Sequence, residues 1–475
     1  MATEATTRDR PRYSGSYRGT VLALLLLVYT VNFIDRTIIG TIGQAIKTDL
    51  NLSDTQLGLL QGFAFAVLYT TLGIPIARLA ERKNRVTIIS VCLVIWSGFT
   101  ALCGMATNFI QLLLFRVGVG VGEAGCSPPA HSLISDYYPA QKRASALAIY
   151  SFGIPLGTMF GAMAGGWIAE NLSWRLAFVI VGLPGIVLAL VVKLVIKEPP
   201  RGWSEQTVEP ASPEDVAVDT TPPPSIGTVA KRLFTKWSFI NMTIGVTLAS
   251  FAAYGSGAFA VPYFLRNFGL SFAQAGLIFG AIGGVSAGIG TLLGGFLTDW
   301  AGKRNGAWYA LVPALGLAVS TPLYVAGYSA AAWSTAAMIL IVPGVFHYTY
   351  LAPTFGVMHN LVEPRMRATA TALLFFVLNL IALGGGPVFT GWIIDLFSTQ
   401  QFASLNLGDF KALCPGGRAA EGAAAALDEA CKASVAKGTQ SGQITTVLIY
   451  AWAALHYGLG AIGLSKDLKA ARGEG

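Results

Sequence analysis

Long apolar runs dominate the chain and are separated by short polar segments. A helix needs about 20 mostly apolar residues to cross the hydrocarbon core of a bilayer. Uncharged runs that meet or approach this length occupy residues 55–77, 86–115, 144–169, 176–192, 237–265, 267–298, 305–362, 368–394 and 438–465. The run at 305–362 is long enough for two helices, and we predict a turn near Gly327 to Ser334.

Two more runs are apolar except for internal charges: residues 19–45, with Asp35 and Arg36, and residues 110–135, with Arg116 and Glu123. Together the runs predict an all-α membrane protein with twelve transmembrane helices. The N-terminus is polar for about 18 residues and the first apolar run is long and charged, so we expect no cleavable signal peptide.

Lysines and arginines concentrate on one side of the predicted membrane. If the N-terminus is cytoplasmic, 23 of them fall in inside segments and 7 in outside segments. Cytoplasmic loops carry such an excess, so both termini are predicted to be cytoplasmic. The membrane is expected to be a bacterial inner membrane. The net charge of +8 lies in these short loops, which argues against a nucleic-acid partner.

The spans and loops predict the following segments: a cytoplasmic N-terminal tail (1–18), a six-helix half (19–196), a cytoplasmic linker (197–236), a second six-helix half (237–465) and a cytoplasmic tail (466–475). The end of the linker, Ile226 to Phe239, is predicted to form a basic amphipathic helix on the inner membrane surface. The outer loop 398–443 contains Cys414 and Cys431, which we predict to form a disulfide because that side is oxidising.

The two halves resemble each other in sequence. Ala77 to Arg82 matches Gly295 to Trp300, Arg143 to Ala146 matches Arg367 to Ala370, and Gly166 to Glu170 matches Gly391 to Asp395. The offsets of 218, 224 and 225 residues nearly agree. Two six-helix repeats suit alternating access, in which one half rocks against the other about a central site.

These segments are where the chain resembles the major facilitator superfamily. Its loop between helices two and three reads Gly-x-Leu-Ala-Asp-Arg-x-Gly-Arg-Lys, which is filled here by Ala77 to Arg85 and, more closely, by Gly295 to Arg304. Its fourth-helix motif is present as Arg116, Gly120 and Gly122. The fifth helix is similar to the antiporter motif but lacks its Gly-Pro pair. The resemblance implies a transporter built of two pseudo-symmetric halves.

Within the superfamily, the chain resembles the spinster branch in Asn32 to Arg36, in Arg116 to Gly125 and in Ala258 to Arg266. Members of that branch move sphingolipids and lysophospholipids, so the resemblance implies a lipid-like substrate. The Asn-x-x-Asp-Arg element also resembles the organic-anion:proton symporters of the same superfamily, which leaves an anion symporter as an alternative.

Asp35, Arg36, Arg116 and Glu123 are the formal charges well inside the spans. A charge at the bilayer centre costs at least about 2.5 kcal/mol, so it needs a partner or a cavity. We predict a proton-coupling cluster in which Glu123 carries the proton, Arg36 is its switchable partner and Asp35 pairs with an arginine. The alternative is a static lock that only holds the first half together.

Charges on the inner loops are predicted to form a gate when the protein is closed inside: Glu81 with Arg82 and Arg85, and Asp299 with Lys303 and Arg304. Solvated loops that only set the topology are the alternative, although acidic residues contribute little to topology.

Several polar residues in mid-helix could line a substrate cavity, or could equally be buried packing contacts: Tyr29, Asn32, Tyr150, Tyr254, His347, Tyr350 and Asn379. The histidines show no metal spacing, and we expect no cofactor, no phosphate-binding loop and no enzymatic activity.

The sequence therefore favours a monomeric, proton-coupled transporter of an amphiphile within membrane lipid. The second half has no basic residue inside its spans, which suits an apolar tail better than a small anion. A membrane sensor that transports nothing is a third possibility, in which the predicted gate acids would be dispensable.

Overall fold

The computed structural model describes residues 13–201, 203–206, 225–363 and 366–472. Parts of the predicted tails and linker, residues 1–12, 202, 207–224 and 473–475, lie outside them, as do residues 364 and 365. The α-helices of the described residues are α1 (Gly15–Asp49), α2 (Asp54–Gln61), α3 (Phe63–Arg82), α4 (Arg85–Cys103), α5 (Phe109–Glu123), α6 (Ser127–Tyr137), α7 (Ala140–Ser151), α8 (Gly153–Asn171), α9 (Trp174–Val195), α10 (Trp203–Gln206), α11 (Ile226–Phe234), α12 (Trp237–Ala258), α13 (Ala260–Phe268), α14 (Phe272–Gly302), α15 (Trp308–Tyr328), α16 (Trp333–His347), α17 (Leu351–Leu361), α18 (Arg367–Val377), α19 (Gly384–Ala403), α20 (Phe410–Leu413), α21 (Ala425–Ala461) and α22 (Leu464–Arg472).

Twelve helical segments of the described chain can cross a membrane, as the apolar runs predict. Eleven are long and apolar enough as they stand, and the twelfth is α12 with α13, which meet at an angle of 44°. The turn between α15 and α16 falls at residues 329–332, within the predicted region. The chain is therefore a multi-pass membrane protein with an all-helical fold.

Two predicted segments differ from the helices of the structure. The run 86–115 belongs to two spans, because α4 ends at Cys103 and the Asn108 side chain caps α5 by accepting from Gln111 N. The predicted outer loop 398–443 contains helix at both ends, since α19 continues to Ala403 and α21 already begins at Ala425. The first turns of α21 are rich in alanine, which favours helix without adding much hydropathy.

Each half of the molecule has its own hydrophobic core. One cluster of buried side chains runs from Val21 to Ile196, joined by Leu383 from the second half, and another runs from Val229 to Leu468. The linker helix α11 belongs to the second core, because Val229 and Leu233 on its apolar face are fully buried. That face therefore packs against protein and not, as predicted, against the membrane surface.

The two halves are in close contact at one end of the bundle and separate toward the other. We call these the disulfide end, which carries Cys414 and Cys431, and the linker end, which carries residues 195–201 and 225–237. A Cβ atom on Gly280 of α14 would lie 3.1 Å from Met159 O of α8, and one on Gly283, nearer the linker end, 3.6 Å from the Thr158 side chain. We interpret this widening gap as the mouth of a cavity between the halves at the linker end.

Candidate functional site

Four buried charges form a cluster within the first half, on α1 and α5. The Arg36 Nε donates to Glu123 Oε2 at 2.6 Å. The side chain of Glu123 is fully buried, whereas that of Arg36 is 20% exposed. Adjacent residues of a helix point about 100° apart. Arg36 can therefore reach the cavity while Asp35, its neighbour, faces the interior of the half.

Asp35 and Arg116 form the second pair of the cluster. Arg116 Nη1 lies 3.8 Å from Asp35 Oδ1, and the Thr100 hydroxyl donates to the other carboxylate oxygen. Arg116 also donates a long hydrogen bond of 3.5 Å to the Leu60 carbonyl. The predicted pair of Arg36 with Glu123 is thus present in the structure, and Arg116 is the arginine that pairs with Asp35. Their role in proton coupling stays a prediction.

Glycines of α5 allow this close arrangement of helices. A Cβ on Gly120 would lie 2.6 Å from the Phe65 carbonyl oxygen of α3, and one on Gly122 would lie 2.7 Å from the Trp96 Cβ of α4. Such distances leave no room for a side chain. The glycines that resemble the superfamily's fourth-helix motif therefore let α5 bring Arg116 and Glu123 against α1.

Three aromatic rings surround the Arg36 guanidinium. Its Cζ atom lies 5.1 Å from the Phe33 ring centroid, 4.7 Å from that of Phe65 and 4.6 Å from that of Tyr69. A guanidinium is attracted to the faces of such rings when it lies within about 6 Å. The rings fix the position of Arg36 and cover part of its charged group, and the side chain stays 20% exposed.

The residues of the first half that are predicted to line the cavity differ in how deeply they are buried. Tyr29 stacks on Tyr150 with ring centroids 4.4 Å apart, and Tyr150 is fully buried behind it. Asn32 is also buried. On the opposite side, Tyr254 of α12 is 43% exposed and lies within electrostatic reach of Arg36. Tyr254 therefore faces the charge cluster from the second half.

His347 and Tyr350 do not line the cavity in this structure. His347 Nδ1 is 2.7 Å from the Tyr324 hydroxyl, and the Tyr350 hydroxyl is 3.0 Å from Ser250 Oγ. All these contacts are buried within the second half. His347 and Tyr350 therefore match the alternative given above, in which these residues make buried packing contacts. Asn379 is partly exposed and lies in a π-helical turn, Leu378–Leu383, just before α19.

Arg85 is not placed for the predicted gate. Its side chain is fully buried, with Nε 2.6 Å from Glu198 Oε1 and Nη1 paired with Asp136. Glu198 also accepts from the Arg85 backbone N–H, at the first turn of α4. Arg85 thus stabilises the linker end of the first half, because Asp136 belongs to that half and Glu198 to the segment that follows it. Glu81 and Arg82 are exposed nearby.

The second predicted gate also lies open at the linker end. Asp299, Lys303 and Arg304 are exposed, and Arg304 Cζ lies 4.9 Å from the Trp300 ring centroid. Within the described part of the chain, neither Glu81 nor Asp299 has a salt bridge. Exposed gate acids without a salt bridge suit a linker end that is open, and their role in closing it stays a prediction.

A second buried ion cluster, at the disulfide end, was missed from the sequence. Asp54 Oδ2 lies 2.5 Å from Lys47 Nζ, and Asp54 Oδ1 lies 2.7 Å from Arg266 Nη2. In the sequence these bases are counted only as outer loop charges. One signal was available in the sequence. Asp54 is an isolated acid that follows Ser53 at the start of an apolar run, a position that could have indicated a buried helix start.

The cysteines are arranged as the sequence predicts. Cys414 and Cys431 are joined by a disulfide with 5.6 Å between their Cα atoms, whereas Cys92, Cys103 and Cys126 are free and buried. The described residues contain no group of three or more histidine, cysteine or acidic side chains that could hold a metal ion.

Comparison with known proteins places this architecture in a family. The model of the Major Facilitator Superfamily matches residues 25–387. An MFS-type efflux pump of Mycolicibacterium smegmatis is 32% identical over 393 residues, which cover 83% of this chain and 87% of the pump. A hexuronate transporter of Bacillus subtilis is 25% identical over 398 residues, which cover 82% of this chain and 90% of that protein.

One solved structure matches along nearly the whole chain. It is a bacterial homologue of the human lysosomal transporter spinster, in an inward-facing and unoccupied conformation. The two chains are 36% identical, with a TM-score of 0.86, and the match covers 96% of this chain and 99% of the homologue. The chain belongs to the major facilitator superfamily, and within it to the spinster branch of transporters.

Proposed function

We propose that this transporter moves an amphipathic, lipid-like substrate of the sphingolipid or lysophospholipid class by alternating access, coupled to protons. The exposure of Arg36 carries the proposal. Its side chain is 20% exposed, whereas Asp35, Arg116 and Glu123 are at most 2% exposed. Of the four charges in the cluster, only the Arg36 guanidinium can meet a negatively charged head group in the cavity.

The second half offers a different surface to the substrate. Its segments 237–265, 305–362 and 368–394 contain no Asp, Glu, Lys or Arg. Tyr254 supplies a hydroxyl within electrostatic reach of Arg36. An amphiphile fits this asymmetry, with its head group at the first half and its apolar chain along the second, because ligand pockets combine apolar walls with few polar groups.

Charge balance supports proton coupling. Asp35 and Glu123 neutralise Arg36 and Arg116 when no substrate is present. An anionic head group that pairs with Arg36 adds one negative charge and competes with Glu123 for the guanidinium. An arginine does not release its proton, so one of the acids has to bind a proton to restore neutrality. Glu123 is the acid that loses its partner, and it is our proposed proton carrier.

We propose that the linker end faces the cytoplasm of a bacterial cell. The distribution of lysine and arginine supports this orientation, with 23 on that side and 7 on the other. The cavity would then be open inward. A TM-score of 0.86 to a homologue in an inward-facing conformation is consistent with that assignment.

The test is transport by the purified protein in liposomes with an imposed pH gradient. Fluorescent lysophospholipids and sphingoid phosphates would be offered in turn. We expect transport that depends on the gradient and is lost in Arg36→Ala. If a lysolipid is transported at the same rate at every pH gradient, the result supports the proposed substrate class and contradicts proton coupling.

A small organic anion is the second candidate, because a hexuronate transporter is 25% identical to this chain. Hexuronates and dicarboxylates would therefore be included in the same assay. If they are transported while lysolipids neither move nor compete, the substrate is an anion and the amphiphile proposal is wrong.

A further inference from the structure

Arg266 joins the two halves at the disulfide end by a set of short hydrogen bonds. It lies on α13 in the second half, and its Nη1 and Nη2 atoms donate to the two Asp54 carboxylate oxygens at 3.1 and 2.7 Å. Its Nε donates to Gln44 Oε1 of α1 at 2.6 Å. Asp54 and Gln44 belong to the first half, so this one side chain makes a fork-shaped contact across the interface.

The Asp395 carboxylate makes a second connection between the halves. From α19 it accepts the backbone N–H groups of Asp54 at 2.9 Å and Thr55 at 2.8 Å, and the Thr55 hydroxyl at 2.6 Å. These N–H groups are the first of α2 and have no acceptor within the helix. A carboxylate at a helix N-terminus also interacts favourably with the helix dipole. Asp395 thus caps a helix of the opposite half.

Glu170 does the same in the reverse direction. From the end of α8 in the first half, its Oε2 accepts the backbone N–H of Ala273 at 2.8 Å, in the first turn of α14 of the second half. Glu170 and Asp395 are the matching acids of the internal repeat, 225 residues apart. Each half therefore supplies one carboxylate that caps a helix start in the other.

We propose that Arg266 and Asp54 form the gate of the disulfide end, and that Glu170 and Asp395 are symmetric positioning residues for it. The contacts of Arg266, Asp395 and Glu170 all cross between the halves, so all must break before the cavity can open at this end. They stabilise the state that is open at the linker end and set how much of the protein adopts the opposite state.

The cluster can separate without leaving an isolated buried charge. Asp54 keeps Lys47, which lies 2.5 Å away in the same half. Arg266 keeps only the neutral Thr439 hydroxyl as an acceptor, 2.9 Å away in its own half. Arg266, Asp395, Glu170 and the two helix starts would be hydrated when water enters. An unpaired charge is costly only while it stays buried, so the retained Lys47 and the entry of water keep the opening step accessible.

The experiment measures distances between spin labels across the disulfide end, in liposomes without substrate. Leu172→Cys in the first half and Trp333→Cys in the second place the labels at exposed positions on that end. We expect Arg266→Ala to raise the population with long distances about tenfold, a typical coupling between conformation and a site. Asp395→Asn and Glu170→Gln should each raise it about threefold, the smaller effect expected for a carboxylate at a helix N-terminus.

The matched control is Arg175→Ala. Arg175 lies 2.7 Å from Asp49 at the same end, but both belong to the first half and are exposed. Its loss should leave the distances unchanged. Arg266→Lys, which keeps the charge, should return part of the effect, and Asp395→Asn combined with Glu170→Gln should multiply the single effects.

The proposal is overturned if Arg266→Ala and Asp395→Asn leave the distances as they are, or if Arg175→Ala changes them equally. Should Arg266→Ala fail to fold, the two acid substitutions decide alone, since each removes a charge without creating a cavity. The inference goes beyond the proposed substrate and coupling. Because no substrate is present, its failure leaves the transport proposal untouched, and the reverse also holds.

Discussion

The two buried ion clusters of this transporter contain the same charges but connect different parts of it. The central cluster, Asp35, Arg36, Arg116 and Glu123, lies wholly within the first half. The disulfide-end cluster has Asp54 between Lys47 and Arg266, with Asp395 capping the same helix start, and it spans both halves. Each set has two acids and two bases.

The difference separates two tasks of a transport cycle. The central cluster can rearrange its protons and partners while the halves stay where they are, and Arg36 gives it access to the cavity. The disulfide-end cluster is closed to solvent, and it has to break when the halves move apart. A change in the first should therefore alter substrate and pH dependence, and a change in the second should alter the balance of conformations.

The largest effect is expected from Arg36→Ala. Transport should fall at least about 100-fold, because truncating one member of a buried charge pair costs about 2–5 kcal/mol and leaves Glu123 unpaired. Initial rates in liposomes give the measurement, with the amount of folded protein checked by size exclusion. Arg175→Ala is the control, since its pair with Asp49 is exposed. Near wild-type rates in Arg36→Ala would favour the alternative in which the central cluster only holds the first half together.

Glu123→Gln should separate binding from coupling. The amide resembles the protonated acid in shape, so the variant is expected to bind substrate with about wild-type affinity but to show no pH dependence of transport. Binding is measured by quenching of the intrinsic tryptophans, and the pH profile by uptake at several external pH values. Asp35→Asn should be severely impaired as well. A wild-type pH profile in Glu123→Gln would mean that Glu123 is structural.

The two clusters are not equally visible in the sequence. Charges within an apolar run are rare and expensive, so Arg36 and Glu123 stand out from the residue pattern alone. Lys47 and Arg266 lie at span ends, where basic residues are common and need no partner. Asp54 and Arg266 are 212 residues apart, and no pattern along the chain indicates that the fold brings them together.

The fold was predictable to a similar extent. Hydropathy and the repeat gave the twelve spans, because each span has to satisfy its own backbone hydrogen bonds in lipid. Boundaries were less certain where polar helix continues beyond the apolar run, as at Ala425. The sequence could not show which partner covers an amphipathic face, so α11 was assigned to the membrane although Val229 and Leu233 pack on protein.

The linker end supplies the next prediction, because it is the open counterpart of the disulfide end. Glu81→Ala or Asp299→Ala should shift the protein toward the state open at the linker end, since these acids can pair with bases only when that end is closed. We expect a coupling of about 1–3 kcal/mol, or about tenfold in population. Distances between spin labels on the linker end measure it.

Glu363→Ala is the matched control for these gate acids. Glu363 lies at the same end and pairs with Arg232 at 3.0 Å, but both residues belong to the second half or its preceding helix. Its removal should leave the distance distribution unchanged. Unchanged distributions in Glu81→Ala and Asp299→Ala as well would assign these acids to solvated loops.

The smallest effect is expected at the disulfide, which holds a turn over the disulfide-end cluster. A Cβ on Gly416 would lie 3.1 Å from the Lys47 carbonyl oxygen, and one on Gly417 would lie 3.5 Å from Lys47 Nζ. Both glycines have positive φ angles, at 65° and 86°, which other residues rarely adopt. The turn therefore packs on Lys47 but makes no charged contact across the gate.

Cys414→Ser combined with Cys431→Ser should raise the population with long distances at the disulfide end about threefold or less, because only weak packing contacts are loosened. The bridge itself is tested by intact mass after alkylation of the unfolded protein without reductant. Three alkylated cysteines are expected, namely Cys92, Cys103 and Cys126. Five would rule the bridge out. A shift in the serine variant as large as that of Arg266→Ala would show that the turn contributes to closing this end as much as the ion cluster does.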